Sequence, residues 1–172
     1  MIFQKFEEIN LRNFQVIIFG SGPTGIATAL ELEKKKISSL IIEAGQEEYS
    51  EESQDFYNGK IIGDNIASLS SSRLRQFGGT SGHWGGWSKP MESYNLKNWL
   101  ITEEELNKYS HEACSILEIK NKFNKAELNK YFNQTEFQYS DIKFADKYKE
   151  HFKRSKNIHL ILNCQLSHFD GK

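Results

Sequence analysis

The chain has 172 residues, a formal net charge of -1 at pH 7 and 26% charged residues. That length supports one domain with its own core, and the interspersed charges exclude a basic face for nucleic acid or an anionic membrane. Two widely spaced cysteines, Cys114 and Cys164, lack metal-ligand spacing and predict a reduced, cytoplasmic-type protein without a metal site.

Residues 1–14 read as a polar lead-in, a short helix or an outer strand. They contain no apolar stretch of signal-peptide length, and no run in the chain approaches the ~20 apolar residues needed to span a bilayer. Val16 to Phe19 is an apolar, β-branched run that predicts a strand buried on both faces. Gly20-Ser21-Gly22-Pro23-Thr24-Gly25 follows at once with the spacing G-x-G-x-x-G. Gly20 suits a sharp strand-to-helix turn, Gly22 close approach of a diphosphate to the backbone, and Gly25 tight packing of helix on strand. Pro23 falls at the predicted helix start, where its missing N–H costs nothing. The free N–H groups and dipole there would hold an anion. The helix runs from about Thr24 to Lys36, with Ile26, Ala29 and Leu30 on its apolar side and Lys34 to Lys36 at its C-terminal end, where cations complement the dipole.

Ile37 to Ile42 predicts a second strand, ending at Glu43 and followed by Ala44-Gly45. Strand, glycine turn, helix, strand and terminal acid within one βαβ length identify a dinucleotide site. A carboxylate at position 43 can accept both ribose hydroxyls and would repel a 2′-phosphate, which favours the adenosine ribose of FAD or NAD over that of NADP.

Gln46 to Asn58 is polar and predicts a surface loop, and Tyr57 to Ser72 shows no firm element. Arg73 to Trp87 is dense again, with five glycines (78, 79, 82, 85 and 86) in nine residues, interleaved with Arg75, Thr80, Ser81, His83 and Trp84. Such a backbone must bend tightly or approach something closely. A flat, polar-edged ring lying against it would explain both glycines and tryptophans; a structural loop around buried tryptophans is the alternative.

Thr102-x-x-Glu105 is a capping box, and Leu106, Tyr109, Ala113, Ile116 and Leu117 recur at helical spacing, with His111 as a surface residue. A second helix is predicted from Asn124, with Leu128, Tyr131 and Phe132 on its apolar face. Phe137 to Lys156 alternates aromatic and basic residues and reads as aromatics packed inward with lysines solvated. Ile158 to Phe169 alternates as a strand, and Asp170-Gly171 is a strong hairpin signal with no return strand after it. Either that strand pairs elsewhere, or the chain is incomplete and leaves its edge exposed.

Gly20-Ser-Gly-Pro-Thr-Gly, Glu43-Ala-Gly and Arg73-x-Arg-x-x-Gly-Gly-Thr-Ser-x-His-Trp-Gly-Gly together resemble the FAD-binding half of the glucose–methanol–choline oxidoreductases, closest to the pyranose 2-oxidase-like branch. Trp99 to Tyr109, leading into the helix that ends near Leu117, is similar to a segment those enzymes carry after the glycine stretch. The resemblance implies a Rossmann-like α/β fold. An FAD-binding βαβ segment would span residues 1–98, a mostly helical insertion 99–156, and a strand returning to the FAD domain 157–172. It implies FAD as cofactor, bound by Gly20, Ser21, Gly22, Pro23, Thr24 and Gly25 at the pyrophosphate and by Glu43 and Ala44 at the adenosine ribose. Arg75, Gly78, Gly79, Thr80 and Ser81 would follow the diphosphate and ribityl chain, with His83 and Trp84 near the isoalloxazine. His83 matches a position that binds flavin covalently in pyranose 2-oxidase, so attachment and simple packing both stay open.

The implied reaction is hydride removal from the CH–OH carbon of an alcohol or sugar to flavin N5, with a base taking the hydroxyl proton. The family's catalytic histidine lies in a C-terminal part with no counterpart here, so no catalytic residue is assigned. The chain is then an N-terminal part of the enzyme, inactive alone or completed by a separate C-terminal chain. A non-catalytic dinucleotide-binding module is the alternative. An NAD-linked dehydrogenase domain ranks lower, because it has no need of Arg73 to Trp87.

Overall fold

The computed structural model describes residues 1–64 and 67–168. They belong to two compact units, Met1–Trp84 with Lys143–Lys172, and Gly85–Ile142. The first unit opens with β1 (Ile2–Phe3) and two 3₁₀ turns (Phe6–Glu8 and Leu11–Asn13). It continues with β2 (Val16–Phe19), α1 (Pro23–Lys34), β3 (Ser39–Ile42), α2 (Glu51–Asp55) and α3 (Leu69–Ser72). The second unit holds β4 (Trp87–Ser88), α4 (Glu103–Asn107), α5 (Ser110–Leu117), β5 (Lys125–Asn129), β6 (Phe132–Thr135) and β7 (Gln138–Tyr139). The chain then returns to the first unit with α6 (Phe144–Arg154) and β8 (Ile158–Ile161).

The sheet of the first unit has the order β1-β8-β3-β2 with every neighbouring pair parallel. Parallel neighbours need a crossover, and α1 supplies it between β2 and β3. Its Ile26 and Ala29 are fully buried. On the opposite face, Leu40, Ile42 and Ile161 pack under Phe3, Ile9 and Phe14. β3 and β8 are central strands, which is why Leu40, Ile41, Ile158 and Leu160 are all fully buried. α6 places Phe152 against Phe77, ring centroids 5.7 Å apart, and its C-terminal end is tied to that of α1 by Glu33, which is bonded by both His151 and Ser155. The result is a mixed α/β unit compatible with a Rossmann-like fold.

Several expectations change. β2 is an edge strand, not one buried on both faces: Ile17 and Phe19 are exposed, and among the described residues only β3 pairs with it. The last strand ends at Ile161, well short of residue 169, and lies between β1 and β3, so it leaves no open edge. The Asp170-Gly171 turn lies outside the described residues. The polar stretch after Gly45 is not all loop, because Ser50 caps α2 by accepting the Ser53 N–H at 3.3 Å.

The insertion expected over 99–156 is mixed, not mostly helical, and α6 belongs with the sheet. Thr102 and Glu105 do form the predicted capping box at the start of α4. The helix expected from Asn124 is instead an antiparallel β5–β6 hairpin. Asn129 Oδ1 accepts the N–H groups of Tyr131 at 2.9 Å and Phe132 at 3.1 Å, which turns the chain. Glu136 closes the base through Asn124 Nδ2 at 2.6 Å. Leu128, Tyr131 and Phe132 stay exposed, so no buried stripe exists to stabilise a helix there. Elsewhere in this unit Glu92 takes Lys125 and Lys89, each at 2.8 Å, and these two hydrogen bonds hold its carboxyl down to about 2. No helix among the described residues is long and apolar enough to cross a membrane.

Candidate functional site

The site lies at the C-terminal ends of β2 and β3, the usual crevice of a parallel α/β sheet. Gly20 turns the chain out of β2 with φ 95°, and Gly22 is the N-cap of α1, with Pro23 at its first position. No side chain caps this end, and among the described residues the N–H groups of Thr24 and Gly25 have no hydrogen-bond partner. They are the donors an anion would use. A Cβ at Gly25 would fall on the carbonyl oxygen of Gly20, so packing alone requires glycine there.

Glu43 extends from the end of β3 and is buried. Its Oε2 accepts the Ser21 N–H at 2.8 Å and the Ser21 hydroxyl at 2.6 Å; its Oε1 accepts the Gly45 N–H at 2.7 Å. The chain beyond β8 forms a further wall, where Cys164 N–H donates to the Glu43 carbonyl at 2.9 Å. Burial pushes the Cys164 thiol above its ordinary value.

The second glycine stretch meets the first here. Gly78 has φ 81°, and a Cβ on it would lie 2.7 Å from the Ala145 nitrogen. Its N–H reaches Ser21 Oγ at 3.3 Å. A Cβ on Gly79 would lie 3.1 Å from Gly22 Cα, so the two turns pass at backbone contact. Buried Ser81 locks the stretch onto α6, donating to the Gly78 carbonyl at 2.7 Å and accepting the Phe144 N–H at 3.1 Å. Trp84 stands edge-on to Phe144 at 6.1 Å.

These segments enclose a cleft of about 720 Å³. Of the residues expected from sequence, Gly20, Gly22, Pro23, Glu43, Ala44, Arg75, Gly79, Thr80, Ser81 and Trp84 line it. Ser21, Thr24, Gly25 and Gly78 do not, although they shape it. His83 is not in the lining either: it is exposed and borders a separate depression of about 530 Å³ with Glu47, Tyr49 and Asp146.

Several lining residues carried no sequence signal, among them Phe19, Phe56, Tyr57, Cys164, Gln165 and Leu166. They come from the edge strand, from the stretch read as a loop and from the chain after β8. Buried Ser53 and Gln54 of α2 explain why that stretch folds inward. Gln54 Nε2 donates to the carbonyls of Ser70 at 2.8 Å and Arg73 at 2.6 Å. Ser53 Oγ accepts from Arg75 Nη1 at 2.8 Å, and Arg75 also donates to Gln165 Oε1 at 2.7 Å with its guanidinium 4.7 Å from the Phe56 ring centroid.

The cleft therefore offers an uncapped helix end and two arginines for an anion, a buried carboxylate for a hydroxyl, and aromatic walls for rings. No histidine lines it, and the described residues contain no group of three or more His, Cys, Asp or Glu able to hold a metal ion. No family model matches the chain, and no curated protein does.

Proposed function

We propose that the cleft binds FAD and that the chain is the flavin-holding part of an oxidoreductase acting on CH–OH groups of alcohols or sugars. The observation that carries this reading is the backbone contact of two glycine turns, at Gly22 and Gly79, beside the buried Glu43. A single glycine turn serves many nucleotides, whereas a second one closing over it suits a longer ligand with a second flat ring. Bound flavin would supply hydride acceptance at N5.

The residues of the chain hold and orient. The uncapped N-terminal end of α1 at Gly22 would hold the diphosphate, Glu43 would take the ribose and reject a 2′-phosphate, and Trp84 would wall the ring end. Oxidation of an alcohol also needs a base for its proton, worth ~10²–10⁴ in rate. No histidine lines the cleft, and we assign no lining residue the role of that base. The same observation favours a second reading, in which the chain binds the dinucleotide without performing chemistry.

The test is titration of the purified chain with FAD, NAD and NADP, followed by ligand fluorescence and calorimetry. FAD is expected to bind, and alcohols or sugars are expected not to reduce it. Binding of NAD without FAD would overturn the flavin reading; reduction by an alcohol would overturn the missing base. Because His83 borders the other depression, acid precipitation of the loaded protein should release the yellow colour to the supernatant. Colour retained on the pellet would show attachment through His83.

A further inference from the structure

We propose that Ser21 is a positioning residue that makes Glu43 read a single ribose hydroxyl, through Oε1. This rests on the reading of the cleft as a dinucleotide site. A carboxylate has about four lone-pair sites. Ser21 fills both sites of Oε2, with its backbone N–H at 2.8 Å and its hydroxyl at 2.6 Å. The Gly45 N–H fills one site of Oε1 at 2.7 Å. One acceptor site is left, enough for one hydroxyl and not for the vicinal pair.

The direction of the Ser21 hydroxyl proton is determined by its neighbours. Its oxygen accepts the Gly78 N–H at 3.3 Å, and its single proton is directed to Glu43. Ser21 is fully buried and does not line the cleft, so it acts on a ligand only through Glu43 and Gly78. It joins three segments distant in sequence: the first glycine turn, the acid at the end of β3 and the second glycine turn. Charge-assisted bonds of this kind are short and strong, and two from one residue to one oxygen fix the carboxylate plane. Ser21→Ala removes the shortest of them, returns a lone pair to Oε2 and lets the carboxylate turn.

The experiment is calorimetric titration of the full chain with ADP, 2′-deoxy-ADP and 3′-deoxy-ADP, for the native protein and for Ser21→Ala. In the native protein one deoxy analogue should bind about tenfold more weakly than ADP and the other within about twofold. In Ser21→Ala the ratio between the two analogues should fall toward one. A purely structural role for Ser21 would weaken all three ligands together and keep the ratio. A retained ratio, or equal penalties for both analogues in the native protein, would overturn the proposal. If Ser21→Ala does not fold, the native series still decides whether one hydroxyl or two are read. A native chain that binds neither ADP nor FAD would instead sink the dinucleotide reading itself, and this proposal with it.

Discussion

Phe19 and Ile42 stand opposite each other in the β2–β3 ladder, yet Phe19 is 53% exposed and Ile42 only 8%. Among the described residues, Ile42 has strand neighbours on both sides and Phe19 has one. The N–H groups of Val16 and Gly20 point inward to Ser38 and Ile42, so those of Ile17 and Phe19 point out along the free edge. Natural edges are blunted by charge, proline or a bulge, and Gln15 to Gly20 has none of these. Ile17→Lys should therefore reduce concentration-dependent association, seen by light scattering, while changing unfolding free energy by less than about 1 kcal/mol. Unchanged association would place the sticky surface elsewhere.

Gly25 and Gly22 should separate stability from binding. Gly25→Ala gains helix propensity of at most ~1 kcal/mol but drives a methyl onto the Gly20 carbonyl, so a net loss of about 1–3 kcal/mol is expected in urea denaturation. A Cβ at Gly22 meets no atom within 4 Å, and its φ of -67° suits alanine. Gly22→Ala should thus unfold within about 1 kcal/mol of the native protein. It should bind FAD at least roughly tenfold more weakly, since a methyl then stands where the diphosphate approaches. Equal effects of the two substitutions on stability would contradict this.

Glu43→Gln tests the buried carboxylate without any ligand. Oε2 faces two donors and Oε1 a third, so an amide must turn its NH₂ toward at least one N–H or O–H. An unsatisfied buried donor costs about 1–3 kcal/mol, and that loss should appear in the denaturation midpoint of the ligand-free protein. A neutral outcome would mean the three bonds are replaced by water.

His159 should make the first unit acid-sensitive. Its ring lies between Phe3 and Phe14, and burial, reinforced by the amino-terminal charge, lowers its pKa from the ordinary 6.5. A base with a lowered folded pKa stays neutral when the unfolded chain takes up its proton. Its neutral form is favoured in the folded protein above the ordinary pKa, and stability falls as pH drops below about 6.5. His159→Phe should flatten the decline in melting temperature between pH 7 and 5. Parallel native and variant profiles would exclude His159 as its source.

The βαβ start was legible because its signals are local. Gly20, Pro23 and Gly25 answer to a turn, a helix start and a contact between adjacent elements, all within six residues. The capping box at Thr102 and Glu105 is local in the same way. The residues around Asn129 form a hairpin and not the helix their spacing predicts, because helical periodicity says which residues share a face, not whether anything covers it. Leu128, Tyr131 and Phe132 share that periodicity and remain exposed.

By itself the sequence determined the parallel βαβ element, its uncapped helix end and the acid at position 43, since backbone sterics and strand polarity leave a short glycine turn few conformations. Only the tertiary structure decided which strand is the edge, that Ser53 and Gln54 turn inward to hold Arg73 and Arg75, and that Ser21 spends both its donors on Glu43. Each of these depends on partners 19 or more residues away or on another strand taking the neighbouring place. Local propensity carries no record of such partners. The energy of a buried polar side chain is set by what faces it, and that is known only once the chain has closed.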